Sequence, residues 1–315
     1  LSQAQEASPK HRGGAGGDIQ AYLNDYEKHG YCLVPGLIEA ESLAGINRLT
    51  QEVLARAARL EASDDIYDLE PSHRPGAPRV RRIRRPHDVD PAYRALAAHP
   101  GILKIVSALI GPNVRLNHSK INLKSPKFGS PVEWHQDWAF IPHTNSDLVI
   151  VAIMLDDCTT ENGPMLMMPG SHRGPLYSHH AGEKFVGAID VAGEQLDVEG
   201  DSRPVLGPAG SVSFHHPWTI HGSALNRSGE ARSLLFFEYA AADAWPLFYG
   251  VDYQEFDSRM IAGEATHTPR LEEVFVRMPY PVATAGAIYS IQEGLEKKYF
   301  ETYSGDADAP GEGEA

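Results

Sequence analysis

Cysteine is nearly absent, with only Cys32 and Cys158 among 315 residues. That count excludes a disulfide framework and a Cys-rich zinc module. Positive charge is also scarce. Lys and Arg number 28 against 42 acidic residues, and a formal net charge of −14 leaves no global footprint for nucleic acid. No apolar run approaches the ~20 residues needed to cross a bilayer. The longest, Leu148 to Leu155, has the length of a buried strand. The first 17 residues lack an apolar signal stretch and read, from their Gly and Ser, as a disordered leader. The expectation is a cytoplasmic chain with neither nucleic acid nor membrane as a partner.

Histidine is what the chain has in plenty, at 15 residues. Its organisation starts with a helix over 18–29, which Asp18 can cap and in which Ile19, Leu23 and Tyr26 share a face. YCLVPGLI reads as a short strand, and a long amphipathic helix carries Leu43, Ile46, Leu49, Val53, Leu54 and Leu60. Residues 61–78 read as a loop. RVRRIRR (79–85) reads as a strand with outward arginines, or as one with an Arg turned inward to an anion. One or two helices follow, and from 112 to about 241 short strands alternate with Gly and Pro turns. Helices first and strands after predict one α+β domain, mainly β, over 18–300. Residues 172–205 form a long excursion of the kind used as lids, and 301–315 read as an acidic disordered tail.

His135 and Asp137 lie two residues apart in PVEWHQDW, so a strand there projects imidazole and carboxylate to one side. A His-x-acid pair is a weak signal, since this composition yields about two by chance and the chain has one. The downstream context strengthens it. His221 is followed by Ser223 and by Arg232, which opens an apolar strand. An inward Arg there is costly without an anion. A dicarboxylate supplies one through bidentate hydrogen bonds, with Ser223 as a further donor; a salt bridge to Glu238 is the structural alternative. Two His and one carboxylate would suit Fe(II) and leave positions open for co-substrate and O2. His215 and His216 are rival third ligands, ranked below His221 because the spacing to Arg232 fits the latter.

HQDWAFIPHTNSDL, ENGPMLMMPGSHRG and HGSALNRSGEAR, after GYCLVPGLI, together resemble the phytanoyl-CoA dioxygenase family of Fe(II)/2-oxoglutarate oxygenases, from about Tyr22 to Tyr239. The ectoine hydroxylases are similar in plan and have an analogue of HSKIN. The resemblance implies a double-stranded β-helix (jelly-roll, cupin-like) core with flanking helices. It implies iron held by His135, Asp137 and His221, and 2-oxoglutarate held by Arg232 and Ser223, with Lys120, Asn122 and an upstream Arg82 or Arg84 nearby. It implies decarboxylation of 2-oxoglutarate to succinate and CO2, coupled to hydroxylation of an unactivated C–H bond. Asp137 favours hydroxylation over halogenation, and Ile153, where the fatty-acyl enzyme has an aromatic residue, disfavours a fatty-acyl substrate.

The expected substrate is a small polar metabolite: an aminophosphonate, an amino-acid-like molecule or a natural-product intermediate. Candidate pocket residues are Asn117, His118, Trp134, Trp138, Phe140, the 143–147 turn, and His179 and His180 within the 177–185 loop. For Trp134 and Trp138 ordinary core is an equal alternative, and for His179 and His180 a solvated pair is the favoured reading over substrate binding. Desaturation, epoxidation, ring formation or demethylation would use the same cofactors. A non-catalytic jelly-roll that binds metal is the reading from another class. A monomer or homodimer is expected.

Overall fold

The computed structural model describes residues 18–127, 129–248, 251–279 and 287–302. The expected leader and nearly all of the acidic tail lie outside them. Asp18 caps α1 (Ile19–His29) by accepting from the Gln20 amide, and Gly30 ends it at φ 80°. The chain continues through β1 (Tyr31–Val34) and α2 (Ala40–Arg56) into a hairpin of β2 (Tyr67–Leu69) and β3 (Val80–Arg84). The region read as a loop therefore carries a strand. Helices α3 (Pro86–Val89), α4 (Pro91–Ala97) and α5 (Pro100–Ile110) lead to β4 (Val114–Lys124). Next come β5 (Val132–His135), β6 (Leu148–Met154) and β7 (Leu166–Met167). The long excursion holds the hairpin β8 (His180–Ala181) and β9 (Lys184–Phe185), then α6 (Val198–Asp201) and β10 (Arg203–Pro204). β11 (Val212–His215), β12 (His221–Ser223) and β13 (Arg232–Ala241) complete the core, followed by α7 (Tyr253–Ser258), β14 (Met260–Ala262) and α8 (Ile288–Glu293).

Two antiparallel sheets make the jelly-roll. The larger runs β1-β11-β6-β13-β4-β3-β2, with β14 added on β4, and the smaller runs β10-β7-β12-β5. Period-two alternation divides the larger sheet. Ile83, Ile121, Leu235, Phe237, Tyr239, Val151 and Phe214 point outward, onto Ile46, Val53, Tyr93, Ile102 and Val106 of the helices. The opposite face carries Arg82, Lys120, Asn122, Arg232, Leu234, Phe236 and Glu238, which line a cavity between the sheets.

This register corrects two expectations. The arginines of RVRRIRR do not alternate outward, because β3 lies inside the sheet between β2 and β4, and Arg81 and Arg82 are both buried. Ile153 belongs to the face under the helices, so it has no part in the cavity wall.

Gly30 couples the helical layer to the site. Its carbonyl accepts from the His216 amide and the Thr219 hydroxyl, each at 2.9 Å, just ahead of His221. A Cβ on Gly30 would stand 2.5 Å from His172 Nδ1 and 2.6 Å from Thr219 Oγ1. Gly30→Ala is expected to destabilise by about 1–3 kcal/mol from backbone strain, with the collision adding to it. Urea unfolding measures the loss, and an unchanged midpoint would contradict this account.

Candidate active site

β5 and β12 pair with His135 opposite His221. The strand ends at His135, two residues short of Asp137. Gln136 nevertheless stays extended (φ −118°, ψ 127°), so Asp137, at the start of a 3-10 turn, still projects to the same side. His135, Asp137 and His221 are all buried, and their donor atoms lie within 4.8 Å of one another. His135 Nε2 is 3.7 Å from Asp137 Oδ1, and His221 Nε2 is 3.6 Å from Oδ2.

Backbone carbonyls set both ring orientations. His135 Nδ1 donates to the Glu133 carbonyl at 2.8 Å, and His221 Nδ1 to the Thr219 carbonyl at 3.0 Å. Each Nε2 is left with its lone pair facing the other ligands, the tautomer a metal requires. Burial holds His135 well below the usual imidazole range and pushes His221 down to about 4, so both are neutral donors at pH 7. Burial alone would raise Asp137. Its neighbours His221, His215 (through a hydrogen bond), Lys120 and His135 outweigh it and hold the carboxyl well below its ordinary value. Two neutral imidazoles and one carboxylate fit a divalent iron with room for further ligands.

The cavity beside these residues is about 450 Å³. Arg232 stands in its wall with only 2% of its surface exposed. Its Nε and one terminal nitrogen donate to the Gly163 carbonyl at 3.1 and 2.8 Å. No carboxylate pairs with it among the described residues. Burial pulls the guanidinium below its usual range. Ser223 lines the same wall. Lys124, buried beside Arg232 in the register, spends its ammonium on the Ser223 and Ala224 carbonyls.

Glu238, the alternative partner for Arg232, instead binds Lys120 at 3.0 Å. Lys120 faces the cavity but is already neutralised there. Arg82 is the upstream arginine that lines the cavity, whereas Arg84 pairs with Asp68. Arg82 Nε donates to Asn122 Oδ1 at 3.0 Å, which leaves the Asn122 amide hydrogens free to face an acceptor.

Not every candidate reaches this cavity. Asn117 and His118 do, because a β-bulge in β4 opposite Glu238 and Tyr239 turns both inward. Phe140 does, edge-on to His135 with ring centroids 5.8 Å apart. Trp134 does not: it is core, stacked on Phe300 at 5.7 Å. Trp138 does not: it is fully buried, and its indole N–H donates to the Phe275 carbonyl. His179 accepts from the Gln136 amide at 2.8 Å and donates to the Tyr177 carbonyl, so it pins the backbone between two ligands and binds no solute. His180 lies in the hairpin against Phe185, and the 143–147 turn stays outside the cavity lining. His216 is half-buried against Tyr26 and His172, away from the converging donors.

Several cavity residues were not foreseen. Arg85 and His87 come from the turn into α3, Asp252, Glu255, Phe256 and Arg259 from in and around α7, and Tyr289 from α8. The last two groups are far along the chain from the motif strands, and no local pattern marks them.

The family model for phytanoyl-CoA dioxygenase (PhyH) matches residues 26–234. The chain is 37% identical over 282 residues to a "Probable alpha-ketoglutarate-dependent hypophosphite dioxygenase" of Stutzerimonas stutzeri, covering 88% of this chain and 98% of that protein. It is 33% identical over 184 residues to the L-proline trans-4-hydroxylase of Streptomyces griseoviridis, covering 52% and 68%. Among solved structures it is similar to the non-heme alpha ketoglutarate dependent carbocyclase SnoK from nogalamycin biosynthesis (TM-score 0.61, 25% identity, 80% of this chain, 95% of that one). It shares the fold of EctD from S. alaskensis with 2-oxoglutarate and 5-hydroxyectoine (TM-score 0.62, 22% identity, 88% and 92%). A metal-binding protein without turnover does not fit these relatives.

Asp137→Ala is expected to abolish tight binding of Fe(II) or Co(II) in calorimetry, and retained wild-type affinity would remove Asp137 from the centre. Burial pushes His118, His143 and His179 down to about 4 and His216 to about 3. Unfolded histidine titrates near about 6.5. Protons therefore favour the unfolded chain once pH falls below that value, and stability is lost progressively toward pH 4. The metal-free protein should melt at a lower temperature at about pH 5 than at about pH 7.5; equal values would show that these rings are not held neutral.

Proposed function

We propose that this chain, which belongs to the phytanoyl-CoA dioxygenase family and is an iron- and 2-oxoglutarate-dependent dioxygenase, hydroxylates a small anionic metabolite. The observation that carries the reading is a single cavity that joins three converging metal donors to a buried, carboxylate-free guanidinium. His135, Asp137 and His221 would hold the iron. Arg232, with Ser223, would take the distal carboxylate of 2-oxoglutarate. Asn122, oriented by Arg82, offers an amide donor to the same molecule, and Lys120 stays paired with Glu238 in the cavity wall. Bound iron supplies the oxidising chemistry, and the protein's part is to orient one C–H bond and exclude water.

A cavity of about 450 Å³ is at the small end of small-molecule sites, which run roughly 300–1,000 Å³. Once 2-oxoglutarate is inside, the space left suits a small metabolite. The remaining wall offers Arg85, His87, Asn117, His118 and Arg259, donors suited to a phosphonate, phosphinate or carboxylate, beside the acidic Asp252 and Glu255; Arg259 pairs with Glu255 and Arg85 with Asp88, so an anion would compete for both guanidinium groups. The hypophosphite enzyme, 37% identical, is named for a small phosphorus oxyanion, which supports the same class.

Succinate release against a panel of small phosphinates, phosphonates, amino acids and uncharged isosteres tests this. An anionic compound should stimulate release and gain one oxygen in mass. Stimulation by uncharged compounds alone would refute the anion reading. The carbocyclase relative favours a second outcome, ring formation, which a loss of two hydrogens would reveal. Arg232→Gln is expected to raise KM for 2-oxoglutarate by about tenfold or more, about 1.4 kcal/mol, with a smaller effect on kcat. An unchanged KM would reassign Arg232 to a structural role.

A further inference from the structure

His215 closes β11, where alternation sets it on the inner face with Ser211 and Ser213, and none of its surface is exposed. Its Nε2 lies 3.1 Å from Asp137 Oδ2. An ionised carboxylate has only lone pairs to offer, so Nε2 carries the hydrogen and donates. The nitrogen that could bind a metal is thereby spent. The ring sits 4.9 Å from that of His221, yet His215 is outside the group of converging donors. Its other nitrogen, Nδ1, is buried with no hydrogen-bond partner among the described residues. Leaving such a group unsatisfied costs on the order of 1–3 kcal/mol. What the imidazole at 215 contributes in return is its one hydrogen bond, from Nε2 to the buried Asp137 carboxylate.

We propose that His215 is the positioning residue of the metal centre. By occupying Oδ2 it holds the carboxylate so that Oδ1, beside His135, is the oxygen offered to a metal. Single-oxygen binding matters because a second carboxylate oxygen on the ion would take a position that a chelating 2-oxo acid and O2 need. The rival third ligand of the sequence reading thus becomes the group that keeps the true carboxylate ligand to one oxygen.

The test uses the full chain with Fe(II) under anaerobic conditions, with 2-oxoglutarate as the probe. Three variants are compared: His215→Phe, which keeps a ring without a donor; His215→Gln, whose amide reaches the Nε2 position; and His215→Asn, whose amide falls short. The readouts are metal affinity by calorimetry, the visible charge-transfer band of the chelated 2-oxo acid, and melting of the metal-free protein. His215→Phe and His215→Asn are expected to weaken metal binding about 10–100-fold and to lose or shift the band, while His215→Gln restores both. Metal-free His215→Phe removes the unsatisfied Nδ1 but also strips the buried Asp137 carboxylate of its donor, so it is expected to melt lower than wild type, with His215→Gln recovering the loss. Wild-type metal affinity and band in His215→Asn would overturn the proposal, as would a His215→Gln variant as impaired as His215→Asn. Should His215→Phe fail to fold, the Gln and Asn pair decides alone.

Discussion

The pairing of β5 with β12 that sets His135 opposite His221 is the constraint on which the site depends. A one-residue slip in an antiparallel pair turns every side chain to the other face. Here it would separate the two imidazoles and send Asp137 away from both. The surrounding bonds guard this register. His179 holds the Gln136 amide between two ligands, and the Gly30 carbonyl ties down the loop that leads into His221. Neither contact touches the chemistry, yet each fixes the backbone that does.

Charge is arranged against the chain's overall sign. A protein with a net charge of −14 gathers Arg82, Lys120 and Arg232 on one inner face of its larger sheet. Lys120 is answered by Glu238. Arg232 finds only a backbone carbonyl among the described residues, so the folded state holds a buried cation whose cost an incoming dianion can offset. The metal donors lie in the smaller sheet and its following turn, and the guanidinium lies in the larger sheet. Closing the two sheets on each other is what brings the three converging donors and the guanidinium to one cavity.

Much of the site is legible in the sequence because its residues obey strand geometry. Two-residue spacing at the end of β5 announces His135 and Asp137, and an Arg opening the apolar strand β13 announces a buried guanidinium in the cavity wall. Other residues resist that reading for physical reasons. Trp134 and Trp138 look alike as core or pocket, since large aromatics serve both and only packing separates them. His179 flanks the site as a backbone clamp, a role with no side-chain signature. The basic strand β3 reads as solvent-facing until its place between β2 and β4 is known. The walls from α7 and α8 arrive from far along the chain, beyond the 26–234 span of the family model, where no motif prepares for them.

The central claim is that three donors and one unpaired guanidinium form a single site that takes metal and 2-oxoglutarate together. Calorimetric titration of 2-oxoglutarate into metal-free and Fe(II)-loaded protein, under anaerobic conditions, tests it most directly. The account predicts one iron per chain and one 2-oxoglutarate per iron, with binding much tighter in the loaded protein. Equal 2-oxoglutarate affinity with and without iron would contradict it, because the two ligands would then occupy separate sites.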